Sequence, residues 1–293
     1  MEKKIFSGVA TAIITPFSEH GVDYGSFERL IELQIEAGVD ALVFCGTTGE
    51  APTLDIDEKK KIFAFAKSTV GKRVPVIFGT STNDHKMTMR LSEYAAELCA
   101  DALLCVTPYY NKGTDEGIIY SYREVCSLGV PVMLYNVPSR SNVDIKENML
   151  ARLSYESNIC AVKECAGVNR ISENKCTFGD RYAIYSGNDA ELLPSLSVGA
   201  DGIVSVLSNI YPGKVCALYK AFLSGDMKSA LALHRELHEI CSLLFAETNP
   251  APVKYCLAAK GLCENILRLP MGRAGEELCK KLDKEMKKIE QNI

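Results

Sequence analysis

Eight short apolar runs, each followed by an amphipathic stretch, restrict this chain more than any other feature. The runs cover residues 9–14, 41–44, 74–78, 102–106, 132–135, 159–162, 183–185 and 202–206. They are short and rich in β-branched residues, as buried strands are. Between them the apolar period changes to that of a helix. Phe27, Leu30, Ile31 and Ile35 share one helical face. Ile62, Phe63 and Ala66 share another, with Lys59, Lys60, Lys61 and Lys67 expected around it. Gly38 and Gly71 read as helix stops. A repeated strand–helix unit builds a parallel sheet. Eight such units within residues 1–225 are close to what a (β/α)8 TIM barrel requires. A doubly wound sheet is the competing fold, but it usually carries a Gly-rich phosphate turn after its first strand. Here Thr15-Pro16-Phe17 follows the first strand, and G-x-G-x-x-G does not occur. Beyond Gly225 the strands stop, and residues 227–245, 252–260 and 275–288 read as helices. The expected organisation is an α/β barrel catalytic domain over residues 1–225 with a C-terminal helical appendage over 226–293.

Composition excludes several classes of function. The net charge of −4 comes from interspersed signs, so neither a nucleic-acid footprint nor a polybasic membrane patch is expected. No apolar run is long enough to span a bilayer, and the first residues lack a signal core. The twelve cysteines are scattered with no C-x-x-C pair. They read as small core residues of a chain kept reduced, which points to the cytoplasm.

Barrel active sites lie at the C-terminal ends of the strands. The residues there are Gly46-Thr47-Thr48-Gly49-Glu50, Thr107-Pro108-Tyr109-Tyr110-Asn111, Tyr135 with Arg140 just beyond, Lys163-Glu164, and Ser186-Gly187-Asn188-Asp189. Lys163 stands 28 positions after Tyr135, and each ends an apolar run. A lysine in that place is buried, burial disfavours its charged form, and a neutral amine attacks carbonyls. A neighbouring tyrosine can move the protons that imine chemistry needs. The bland alternative is a lysine whose ammonium reaches solvent from a strand end. Gly46–Gly49 is either an anion-binding nest or an ordinary turn with a threonine cap. Glu50 is expected to be a structural acceptor for loop amides rather than a base. Arg140 suits carboxylate capture, because the guanidinium fork matches a carboxylate. His234 and His238 have metal-ligand spacing, but the segment reads His-Arg-Glu-Leu-His rather than H-E-x-x-H. They are expected at a surface or interface, with no metal or other cofactor required.

These motifs, together with Tyr135-Asn136-Val137-Pro138-Ser139-Arg140, Asn249-Pro250-Ala251-Pro252-Val253-Lys254 and Leu267-Arg268-Leu269-Pro270, resemble the pyruvate-dependent class I aldolase family over essentially the whole chain. The resemblance implies that Lys163 forms an imine with pyruvate while Tyr135 relays protons. It further implies that Thr47 links Tyr135 to Tyr110, which reaches across a tight-dimer interface into the neighbouring site. Thr48 would bind the pyruvate carboxylate, Arg140 the carboxylate of L-aspartate 4-semialdehyde, and Gly187 and Ile203 would line the pocket. The implied reaction is the condensation of these two substrates on the diaminopimelate route to lysine, in a homotetramer built as a dimer of dimers.

Sibling aldolases that cleave N-acetylneuraminate or 2-keto-3-deoxy sugar acids share the lysine and tyrosine but typically lack the arginine found here at 140. A non-catalytic homologue is disfavoured, since every catalytic position is filled. A phosphosugar barrel would prefer a Gly-rich loop where Ser205-Val206-Leu207-Ser208 stands. Some relatives are inhibited by L-lysine at the tight-dimer interface, near the tyrosine that corresponds to Tyr109. Tyr109 and Asn83 match that pocket; Ala51, Pro52, Ile56, Lys59 and Met87 do not. Weak or absent feedback is therefore expected, with the reservation that the Lys59 side chain can turn to solvent.

Overall fold

Strand β1 (Gly8–Ala12) opens a closed parallel barrel. It continues through β2 (Ala41–Phe44), β3 (Val76–Gly79), β4 (Ala102–Val106), β5 (Val132–Asn136), β6 (Ile159–Glu164), β7 (Ala183–Ser186) and β8 (Gly202–Ser205). The structure, a computed structural model, describes residues 4–291. All eight expected strands form, and the order around the barrel follows the chain until β8 pairs with β1. At that seam Gly8 is in register with Gly202, and a Cβ on Gly202 would lie 1.9 Å from the Gly8 carbonyl oxygen. Only glycine permits so close a backbone approach.

Alternation along the strands separates two apolar layers. Ala10, Ala41, Ala102, Ala161 and Ala183 point into the barrel with Val43, Ile77, Leu104, Met133 and Val204. Several of these are small, which leaves room for larger inward side chains such as Tyr135 and Tyr185. Tyr185 stacks on Phe6, with ring centroids 4.1 Å apart, and donates to the Phe6 carbonyl. The outward layer, which includes Val9, Leu42, Phe78, Leu103 and Val162, packs against the helices.

Helix α1 (Tyr24–Glu36) begins at Asp23, whose carboxylate accepts from the Ser26 amide. It buries Phe27, Leu30 and Ile31, as their spacing predicts. Helix α2 (Ile56–Val70) begins with a capping box between Asp55 and Glu58 and stops at Gly71. Its Lys59 departs from the expected solvated rim, being only 7% exposed. The side chain is buried on the inner side of the helix, on the wall of a cavity. Two cysteines also depart from expectation: Cys99 and Cys176 are exposed, whereas Cys45, Cys105, Cys126, Cys216, Cys241 and Cys256 are buried. A short antiparallel hairpin of Phe17–Ser18 and Gly21–Val22 was not visible in the apolar pattern.

The C-terminal region is helical, with Met227–Leu244, Ala251–Ala259 and Glu276–Gln291. Leu237, Ile240, Val253, Leu257 and Leu282 belong to the same continuous apolar layer as the barrel's outward residues. Among the described residues, no helix is long and apolar enough to cross a membrane.

Candidate active site

Tyr135 and Lys163 are direct neighbours in the register between β5 and β6. Both share the inward parity of Met133 and Ala161, so both side chains enter the barrel. The Lys163 ammonium lies 4.3 Å from the centroid of the Tyr135 ring. Lys163 is 6% exposed. Burial pushes its pKa below the ordinary lysine range; Cys165 and Asp189 oppose that shift and Arg140 adds to it. Burial also raises the Tyr135 phenol, while a hydrogen bond with Thr47 pulls it back. The site therefore holds an amine that gives up its proton readily beside a phenol that keeps its own at neutral pH.

Gly187 permits this arrangement. A Cβ there would fall 2.1 Å from Cys165 Sγ and 2.9 Å from Lys163 Cε. The backbone just after β7 thus forms the wall against which the lysine side chain lies. Ile203 is fully buried one strand further on, in register with Ser186, but its side chain lies in the outward layer with Val9, and Val204 is the residue of β8 that points into the barrel. The loop after β8 is committed internally, because Asp189 accepts from the Ser205 hydroxyl and from the Val206 and Leu207 amides. Those amides would have served a phosphate in a phosphosugar barrel, and a carboxylate of the chain already takes them.

The loop after β2 is a tight turn in which Gly49 donates to the Gly46 carbonyl and Glu50 to that of Thr47. Among the described residues the amides of Thr47 and Thr48 take no partner, which leaves them for a ligand. Thr48 is held by the C-terminal region: Asn249 Nδ2 donates to its hydroxyl over 3.0 Å. The Asn249 carbonyl accepts from Arg140 over 3.4 Å. Glu50 is buried as a structural acceptor, though for the C-terminal region rather than for its own loop. It accepts from the Arg268 amide over 3.1 Å and pairs with the fully buried Lys254 at 2.5 Å. Lys254 and Arg268 also lie 4.1 and 4.4 Å from the centroid of the Phe17 ring.

A cavity of about 200 Å³ opens beside these residues, with Thr47, Tyr135 and Arg140 on its walls. Lys163, Thr48, Gly187 and Ile203 lie outside its lining. Tyr110 is 91% exposed and projects away from the barrel in a left-handed backbone conformation. On the far side of β6, Glu164 accepts from Asn136, Asn174 and the Ala166 amide, and burial pushes its pKa up to about 7. Asn136 also holds Asp144, which pairs with Arg170. This network fixes β5 and β6 from behind. His234 is half-buried and His238 exposed on Met227–Leu244, and no group of metal-ligating residues forms among the described residues.

Motif reading missed Asn249 as a site residue and Cys165 as a neighbour of the amine. Asn249 lies 201 positions from Thr48, and only its shared Asn-Pro-Ala-Pro motif signals it. Nothing in the sequence signals Cys165 beyond its place two residues after Lys163.

Known proteins resemble this chain over nearly its whole length. Residues 5–289 match the dihydrodipicolinate synthetase family. The 4-hydroxy-tetrahydrodipicolinate synthase of Fervidobacterium nodosum is 45% identical over 289 residues, covering 97% of this chain and 99% of its own. The crystal structure of dihydrodipicolinate synthase from Aquifex aeolicus superposes with a TM-score of 0.94 at 39% identity, covering 97% of this chain and 98% of its own. The lysine-bound enzyme of Cyanidioschyzon merolae superposes with a TM-score of 0.94 at 32% identity, covering 98% and 99%. With its parallel barrel, its buried lysine–tyrosine pair and this full-length similarity, the chain belongs to the dihydrodipicolinate synthetase family.

Proposed function

We propose that this chain is a lyase that condenses pyruvate with L-aspartate 4-semialdehyde through an imine on Lys163, as a 4-hydroxy-tetrahydrodipicolinate synthase of lysine biosynthesis. One observation carries the reading: the buried Lys163 amine against the ring of Tyr135, with Thr47 hydrogen-bonded to that tyrosine. The neutral amine adds to the ketone carbon of pyruvate. Tyr135 delivers the proton with which the ketone oxygen leaves as water. The resulting iminium is an electron sink, so a methyl proton is lost and an enamine forms. The enamine carbon attacks the aldehyde carbon of the semialdehyde. The amine of the adduct then displaces Lys163 and closes the ring, which regenerates the free lysine.

The surrounding residues receive roles on the same reading. The unpartnered Thr47 and Thr48 amides and the Thr48 hydroxyl suit the pyruvate carboxylate. Arg140, on the cavity wall, suits the carboxylate of the semialdehyde. Gly187 gives the lysine its space, and Ile203 borders the pocket by its backbone, since its side chain belongs to the outward layer. The exposed Tyr110 ring suits a neighbouring subunit's site, in a dimer of dimers. Residues 226–293 act as a cap on the 1–225 barrel, since Asn249 reaches Thr48 and Arg140.

A coupled assay with both substrates tests the reading: turnover must require pyruvate and the semialdehyde together. Efficient cleavage of N-acetylneuraminate without such turnover would assign the chain to a sibling aldolase instead.

A further inference from the structure

Glu50 closes the turn in which the Thr47 and Thr48 amides are left for a ligand, and it does so in a left-handed backbone conformation, with φ at 53°. A residue with a side chain keeps that conformation only where its surroundings hold it there. The turn supplies part of the hold. Glu50 donates to the Thr47 carbonyl over 3.0 Å, and its own carbonyl accepts from the Thr53 amide and hydroxyl, each over 3.0 Å. The side chain supplies the rest. It leaves its own loop and lies buried against the C-terminal region. One carboxylate oxygen pairs with Lys254 at 2.5 Å, and the other accepts from the Arg268 amide over 3.1 Å. Lys254 also donates to the Ile266 carbonyl over 2.8 Å.

The pair joins two segments that meet at the barrel mouth. Glu50 stands two residues after Thr48, and Lys254 stands five residues after Asn249, on the helix Ala251–Ala259. Beside the neutral hydrogen bond from Asn249 to Thr48 there is thus a charged link between the same two segments. The loop after β1 is tied to both: the Thr15 hydroxyl donates to the Gly49 carbonyl over 2.7 Å, and the Phe17 ring packs against Lys254 and Arg268. A buried ion pair adds little stability, because desolvation offsets the attraction. Its geometry is demanding, however, since an apolar contact can slide and two buried charges must meet. The pair therefore admits one placement of the turn on the cap.

We propose that Glu50 and Lys254 are positioning residues of the reaction: their buried pair holds the Thr47–Thr48 turn and Asn249 in the relative placement that receives the pyruvate carboxylate. The inference rests on the pyruvate reading given above. Neither side chain lines the cavity, so both act through Thr48 and Asn249. The pair assembles the carboxylate site before pyruvate arrives. Its loss therefore appears in pyruvate affinity rather than in the chemical step.

Two variants of the full chain test this. Glu50→Gln/Lys254→Met removes both charges at nearly unchanged side-chain length, a kind of replacement that buried pairs commonly tolerate. Glu50→Asp keeps both charges and shortens the link by one methylene, and it decides alone if the double variant does not fold. In each, KM for pyruvate should rise about fivefold or more while kcat changes less than about twofold. Adding Asn249→Ala to the double variant should raise KM little further, because both links hold the same contact. A second readout is independent of catalysis. The Gly49, Glu50 and Ala51 amides close the turn, and in both variants they should exchange hydrogen about tenfold faster than in wild type, while those of β2 keep their protection. An unchanged KM for pyruvate, with or without a lower Tm, overturns the proposal and makes the pair structural only. So does unchanged exchange in the turn. Wild-type protein that traps no pyruvate with borohydride would overturn the imine reading instead, and normal trapping with an unchanged KM would overturn this inference alone.

Discussion

The side-chain amide of Asn249 donates to the hydroxyl of Thr48 over 3.0 Å, although the two residues are 201 positions apart. Through this bond the C-terminal region sets the orientation of a hydroxyl at the barrel mouth. It occupies the acceptor side of Thr48 and leaves the proton for a substrate carboxylate. Asn249→Ala should therefore weaken pyruvate binding, by ~1 kcal/mol or about fivefold in KM, with kcat changed less. Steady-state kinetics with pyruvate varied checks this. Unchanged KM accompanied by a lowered Tm would make Asn249 a structural residue only.

Arg140 lines the cavity and is held on one side by the Asn249 carbonyl. Arg140→Ala should impair use of the semialdehyde by ~2–3 kcal/mol, the typical cost of losing a charge-assisted contact. Formation of the pyruvate imine should change much less. Equal losses in the two steps, measured by turnover and by trapping, would mean that Arg140 merely holds its loop.

Tyr110 is almost fully exposed, at 91%, on a chain whose large aromatic residues are mostly buried. If its ring completes a neighbouring subunit's site, inactive Tyr110→Phe and inactive Lys163→Ala proteins should complement each other. A mixed dimer then contains one intact site, and activity should appear on mixing after dissociation and reassembly. A fully active monomer in sedimentation would contradict this.

Much of the fold was legible because strands buried on both faces write themselves as short apolar runs, and all eight appear where those runs stand. The ends were less legible. Tyr135 and Lys163 read as strand tips, yet both lie within strands, which run on to Asn136 and Glu164. Polar residues can continue a strand when a network such as Glu164–Asn136–Asn174 satisfies them, and the apolar pattern does not record that. Lys59 was misplaced for a related reason. Helical spacing placed it beside the apolar face, and a lysine there is usually solvated. The void that receives it is made by residues from other parts of the chain, including Tyr109 and Ser81. The contact from Asn249 to Thr48 was hidden in the same way, since no local pattern encodes a bond across the fold.

The position of Lys59 strengthens the expectation about feedback. Its ammonium lines the same cavity as Ala51, Pro52 and Tyr109, and no carboxylate is present there to receive an amino group. L-lysine brings two ammonium groups and one carboxylate, so like charge meets like, and an unpaired ammonium typically costs ~1–3 kcal/mol or more. Titration with L-lysine should give little heat and little inhibition. Tight, saturable binding accompanied by inhibition would refute this account of the pocket.

The central claim is that the amine of Lys163 forms the imine, and borohydride reduction in the presence of pyruvate followed by peptide mass analysis tests it most directly. The protein should lose activity and gain the mass of one reduced pyruvate adduct per chain, at Lys163 alone. Because burial lowers the pKa of that amine, trapping should rise with pH across a range below that of an ordinary lysine. Lys163→Ala should fold normally and take no label. Labelling of another lysine, or pyruvate-dependent inactivation of Lys163→Ala, would contradict the assignment.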